Sequence, residues 1–370
     1  MSTLNQFFRG SGRFRDNKQW YLRSGSYTFT VPNGIDEVLA VVIGAGGGGH
    51  WHSAPSGTAA GGGGGGGYAK GVIAVVPGQT IAVTVGAEGT SADTAQAGTS
   101  SFGSFLTATG GYGGSATSPG NGGAGSSSGA TEVFTSSGGQ GGGLHTSQFD
   151  ASGGGSSGSP YGDGTQANKP ANITASCTAG AAWNGLDADE RCTDNNNNGV
   201  EGGQGTANWG GYGRGRGAYT SGMATGGPGL FAGKLGEGQG CQDVNKSYID
   251  TVVRGSHGAC NYWWFPWEIG GGGGGGAYAF QTGSTVTAGS GGCGAGGGSA
   301  SCEATSSAAC AGLGGFGGGG GASATNVSSS YPFGGHGGHG GGGGGTTSYN
   351  SSLYPDKVGY GGPGAVLVYY

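Results

Sequence analysis

The sequence predicts an all-β protein: a small antiparallel β-sandwich formed by N- and C-terminal strands, carrying packed polyglycine II helices and a loop-rich insert. Three observations predict it. Two short, almost wholly apolar runs, Val38 to Ile43 and Ala365 to Tyr370, stand near opposite ends of the chain, each beside glycine; runs of this length and composition suit buried strands. Glycine supplies 101 of 370 residues without a strict G-X-Y period, which excludes collagen. The net charge is only −5, and thirteen Phe, sixteen Tyr and seven Trp need an ordered place, so the low charge and aromatic content argue against a disordered glycine-rich chain.

Residues 1–25 are polar and aromatic, with Arg9, Arg13, Arg15, Lys18 and Arg23 giving local positive charge. They read as a docking segment toward other proteins; the plainer alternative is a frayed arm. No apolar h-region is present, so these residues are not expected to act as a signal peptide. Residues 26–114 and 355–370 are expected to form the sandwich core. In SYTFTV, Tyr27, Phe29 and Val31 share one face, the pattern of a half-buried strand. GVIAVV-PG-QTIAVTVG reads as a hairpin, with Pro77 and Gly78 at the central positions of a type II turn. Phe102, Phe105 and Leu106 supply one more short strand, and the C-terminal run completes about six strands.

Residues 115–354 form the glycine-rich region. Glycine runs fall at 46–49, 61–67, 270–276, 317–321 and 340–345, and GGGGGGGYAKG at 61–71 is echoed by GGGGGGGAYAF at 270–280. Ordering a backbone residue costs roughly 1–2 kcal/mol, and glycine lies at the expensive end. Polyglycine II helices packed side by side offset this cost, because chains without Cβ atoms approach closely and hydrogen-bond laterally. A seven-residue run would span roughly 22 Å at about 3.1 Å per residue.

A cysteine-containing insert occupies about residues 160–268. Tyr262, Trp263, Trp264, Phe265 and Trp267 make an aromatic stretch that Pro266 assigns to a loop or strand edge. Exposed, it is a binding platform, to which Trp183 and Trp209 are candidate additions; buried, it is a local core. Cys177, Cys192, Cys241, Cys260, Cys293, Cys302 and Cys310 are disulfide candidates of open connectivity. His50 and His52 are two residues apart and fall on one side of an extended segment. His336 and His339 are one polyproline-type turn apart. Asp194, Asn196 and Asn198 open like a calcium loop, but Gly205 occupies the twelfth position, where a glutamate is needed. Each of these sets is either a metal-ion site or a group of polar residues on exposed loops; no other cofactor is expected. Neither HExxH nor GxxxxGK[ST] occurs, glycine-based signatures carry no information in this chain, and no catalysis is expected. No basic patch suggests nucleic acid, and no run of about 18 apolar residues suggests a membrane span.

The sequence YTFTVPNGIDEVLAVVIGAGGGG, followed by GGGGGGGYAKGVIAVVPGQTIAVTVG and, at the C-terminus, GYGGPGAVLVYY, resembles glycine-rich bacteriophage tail-fibre and receptor-binding proteins. It is similar in style to the distal adhesins of T-even-like phages. The resemblance implies a virion protein assembled in the host cytoplasm. Such a protein contacts other virion proteins through its N-terminal segment and a bacterial glycan or outer-membrane protein through loops on the scaffold. It also implies a homo-oligomer such as a trimer, in which the His50/His52 pairs of three copies would surround one ion. The alternative is a purely structural collar, whisker or fibre-shaft component without a receptor.

Overall fold

The computed structural model describes residues 17–53, 59–90, 94–144, 150–160, 162–167, 178, 180–181, 229–231, 234–236, 252–254, 277–279, 285–291, 294, 296–302, 308–325, 331–348 and 357–370. The Glu37–Ile43 strand lies at the centre of a five-stranded antiparallel sheet. Its sequence, EVLAVVI, leaves both faces apolar, so both must be covered. It pairs on one side with Ala365–Tyr369, placing Ala365 opposite Ile43, and on the other with Tyr68–Ala74. Lys18–Tyr21 and Thr131–Ser136 form the edges. The two apolar runs pair as expected. Tyr370 is tied down too: it exchanges backbone hydrogen bonds with Asn17 at 3.1 and 3.2 Å, and its ring lies 5.6 Å from that of Phe29.

A second five-stranded antiparallel sheet runs in the order Gly125–Ser127, Leu106–Ala108, Ser100–Phe102, Thr80–Val85, Gly25–Thr30. Alternation along Thr80–Val85 turns Ile81, Val83 and Val85 inward, as expected. Between the sheets Phe29, Val38, Val42, Ile73, Ile81, Phe102, Leu106 and Val366 form the main core. Each large apolar side chain contributes roughly 1.5–3 kcal/mol on burial. The opposite face of the first sheet buries Leu39, Val41, Ile43, Tyr68 and Leu367 beneath Trp20, Leu22, Phe134 and Phe316. The sandwich therefore extends past the 26–114 and 355–370 boundaries read from the sequence, drawing strands from residues 18–21 and 125–136.

The hairpin expected around Pro77–Gly78 is corrected. The turn itself forms, with Gly78 at φ +79° and the Gln79 N–H donating to the Val76 carbonyl at 2.9 Å. Its flanking strands nevertheless enter opposite sheets: Tyr68–Ala74 joins the first and Thr80–Val85 the second. Type II geometry splays right-twisted strands, whereas primed turns hold them together. Here Val75 pairs with Asp36, while Gly78 and Gln79 pair with Val31, so the two arms take different partners at once.

Polyglycine segments pack beside the sandwich. Residues 61–67 show how they order. The N–H groups of Gly61, Gly64 and Gly67 donate to Ser115, Tyr112 and Thr109; those of Gly63 and Gly66 to Gly343 and Gly340; that of Gly65 to Gly139; and that of Gly62 to Ser152 Oγ. All seven carbonyls accept as well: from His50, Gly47 and Gly44, from Gly120 and Gly123, and from Gly155 and Gly158. Every third residue faces the same neighbour, the arrangement of a threefold polyglycine II helix. The run is thus held by surrounding segments, and none of its backbone polar groups is left without a partner.

The glycine-rich part nearer the C-terminus is built from coils of one length. Strands Ala277–Ala279, Ala300–Cys302, Ser323–Thr325 and Thr346–Ser348 start at a spacing of 23 residues (277, 300, 323, 346) and pair in parallel, in register. Thr285–Thr287, Ala308–Cys310 and Tyr331–Phe333 repeat at the same spacing in a second parallel ladder (285, 308, 331). Between the ladders the glycines form an outgoing and a returning arm. Gly318 donates to Gly315 and Gly341 to Gly338, both at 2.7 Å, closing turns with Gly317 and Gly340 at φ +78° and +76°. These are type II turns, in which the third position requires positive φ. Successive coils are joined through every third residue: Ala288 to Cys310, Gly291 to Leu313, Gly294 to Phe316, then Ala311 to Phe333, Gly314 to His336 and Gly317 to His339. The Trp51–Ser53 strand joins the end of the first ladder beside Thr346–Ser348 and links it to the N-terminal part of the chain.

Candidate functional site

At that junction the structure brings together the polar side chains most able to act as ligands. His50 and His52 lie two residues apart on extended backbone, so their imidazoles share a side; the ring centres are 6.1 Å apart. The backbone at His50 is fixed, with its N–H donating to Gly61 and its carbonyl accepting from Thr346. His52 stands in register with Thr347 across the parallel pair. Thr347 is only 1% exposed. The Nδ1 atoms of both histidines and the Thr347 hydroxyl are shielded from solvent and have no hydrogen-bond partner. Burial, and then the neighbouring His52, lower the pKa of His50; burial alone lowers that of His52. Both shifts favour neutral imidazoles.

His336 and His339 have separate neighbours. The Nδ1 of His336 accepts the Tyr360 N–H at 2.9 Å, and the two rings lie 5.1 Å apart. His339 occupies the turn at 338–341, where its Nε2 hydrogen-bonds with the Leu22 carbonyl at 3.1 Å and its ring stacks on Phe316 at 5.2 Å. Both histidines are held below the ordinary pKa by burial; Glu88 opposes this at His336 and the Leu22 bond at His339. These contacts give His339 a role in fastening a coil to the sandwich. Among the described residues, no group of three or more His, Cys, Asp or Glu converges as a metal cage.

Cys310 is a free, half-buried thiol whose pKa burial raises. Its register neighbours across the ladder are Thr287 and Phe333, so no cysteine faces it there. Cys302 lies on a ladder strand. Cys177, Cys192, Cys241, Cys260 and Cys293 lie outside the described residues. So do Trp183, Trp209, the aromatic stretch Tyr262 to Trp267, and the set Asp194, Asn196 and Asn198. Sequence reasoning missed Thr347, which becomes notable only once its partner strand is known. It also missed Leu313 and Phe316, although the recurrence of AGLGGF at 311–316 as GGHGGH at 334–339 marks side-chain positions within the glycine arms.

Two antiparallel sheets packed face to face and backed by a polyglycine II lattice define a glycine-rich β-protein. The chain belongs to the family described as glycine-rich domain, whose model matches residues 22–231, more than half its length. The match takes in eight of the ten sandwich strands; Lys18–Tyr21 lies just before it, and it ends before the 23-residue coils and the Ala365–Tyr369 strand. No curated protein matches the sequence.

Proposed function

We propose that this protein is a bacteriophage virion component, part of a tail fibre or other external appendage, and that it binds the host cell surface through loops on its glycine scaffold. The observation that carries this reading is the saturated lattice around residues 61–67, where each backbone N–H and carbonyl is engaged by the protein itself. Such a lattice is a stiff carrier with few polar groups left to offer a ligand. Recognition therefore passes to the segments it displays, the usual division between scaffold and loops. Low charge favours contact by shape, stacking and hydrogen bonds with a surface glycan or outer-membrane protein. On this reading the protein is not an enzyme. Its N-terminal segment joins it to other virion proteins, and it works as a homo-oligomer such as a trimer.

The test is binding of labelled full-length protein to a panel of intact bacteria, beside a Trp263/Trp264/Trp267→Ala variant. Saturable binding to some strains, lost in a variant with an unchanged circular dichroism spectrum, is the expected outcome. A wild-type protein that binds no strain infected by a phage carrying it would leave a collar, whisker or shaft role instead.

A further inference from the structure

We propose that His50, His52 and Thr347 form a binding site for a single divalent transition-metal ion of the kind that favours imidazole, such as Zn²⁺ or Cu²⁺. The proposal starts from three polar atoms that the fold brings together and leaves without partners: His50 Nδ1, His52 Nδ1 and Thr347 Oγ1. Buried polar groups are ordinarily hydrogen-bonded, and each exception calls for an explanation. An ion held by the two ring nitrogens would give both a partner, and the Thr347 hydroxyl stands in register with His52 to hydrogen-bond a water on that ion.

The spacing suits this. A nitrogen ligand about 2.0–2.1 Å from the ion puts the ion roughly 3 Å from the ring centre. Two rings sharing one ion are then about 5–6 Å apart, and these two are 6.1 Å apart. The site is also built in advance of any ligand. Hydrogen bonds from His50 to Gly61 and from Thr346 to His50 fix the backbone, and the ladder fixes Thr347 beside His52. Burial keeps both imidazoles in the neutral form that binds metals. Two neutral nitrogens with one hydroxyl select borderline ions over Ca²⁺ and Mg²⁺, which prefer several oxygen ligands. Both histidines as residues are only partly buried, so water reaching the ion from their exposed side completes the coordination and binding is exchangeable.

The experiment uses the full chain without a histidine tag. Zn²⁺ is titrated calorimetrically and Cu²⁺ is followed by electron paramagnetic resonance, for wild type, His50→Gln, His52→Gln, Thr347→Val and His339→Gln. The proposal expects one site per chain and a copper spectrum with coupling to two nitrogens. Affinity should fall at least tenfold in either of the first two variants, fall less in Thr347→Val, and hold in His339→Gln. Wild-type protein that takes up neither ion overturns the proposal without reference to any variant. So does a copper spectrum that is unchanged in both His50→Gln and His52→Gln.

Discussion

Gly63 shows what a single residue contributes to this architecture. Its N–H donates to Gly343 and its carbonyl accepts from Gly155, while the Gly47 carbonyl occupies the space where a Cβ would project. A methyl group there meets backbone held by its own hydrogen bonds, so the neighbours cannot simply turn aside. Gly63→Ala should lower unfolding free energy by about 2 kcal/mol, the scale of overpacking in a dense interior. Val76, 67% exposed, is the control, and its replacement by alanine should stay within about 0.5 kcal/mol; urea denaturation of both variants checks the difference. His339 adds a pH dependence at the same scale. Its folded-state pKa is depressed by burial, against the Leu22 bond, so the native protein refuses a proton that the unfolded chain accepts. Its contribution to stability is complete above the ordinary histidine value, about 6.5. It declines as pH falls below that value and levels off below the folded-state pKa. His50, His52 and His336 shift in the same direction. The urea midpoint should therefore fall between pH 7 and 5.5, and His339→Gln should flatten that fall.

Several elements were legible in their side chains, while the edge strands Lys18–Tyr21 and Thr131–Ser136 were not. Phe102 and Leu106, read with Phe105 as one strand, belong to two strands parted by a turn at Gly103. Alternation marked Gly25–Thr30 and Thr80–Val85, continuous apolar character marked Glu37–Ile43 and Ala365–Tyr369, and Pro77–Gly78 marked a type II turn. The destination of the strands flanking that turn was not legible from composition, because both arms carry enough apolar residues to enter either sheet. The splay of a type II turn was the available clue. The 23-residue coils were obscured for a different reason. Their ladder positions accept Ala, Ser, Thr, Val, Tyr, Phe, Pro or Cys, since in-register backbone pairing does most of the joining. A period carried by backbone leaves little trace in side-chain identity. What trace exists lies in the glycine arms, where a larger side chain recurs every third residue, as at Leu313 and Phe316 and again at His336 and His339. The two-residue spacing of His50 and His52 was readable as a ligand pair. Thr347 was not, because only the ladder brings residues almost 300 positions apart into register.

At the scale of the whole molecule, the sandwich and the coils are stabilised in different ways. The sandwich depends on a particular core, with Phe29, Phe102 and Leu106 locked between two sheets. The coils depend on repetition: each presents to the next the same donors and acceptors that it receives, so a coil is an interchangeable unit in the sense of a linear repeat array. Removal of residues 277–299 would be one whole period, and it spares Phe316 and His339, which fasten the neighbouring coils to the sandwich. After that deletion Ala300 would follow Gly276 as Ala277 does now, and Val252–Arg254 would face Ala308–Cys310 in place of Thr285–Thr287. The shortened chain should fold, unfold cooperatively and resist protease much as the parent does, with a smaller denaturant slope in proportion to the surface removed. Removal of residues 277–297 takes away two residues fewer and breaks the period. That chain should lose the ladders and become protease-sensitive within the coils, because its backbone donors no longer meet acceptors. Limited proteolysis and urea denaturation of the two deletions, side by side, distinguish a repeat held by register from glycine held by composition: equal damage in both would mean that period does not matter.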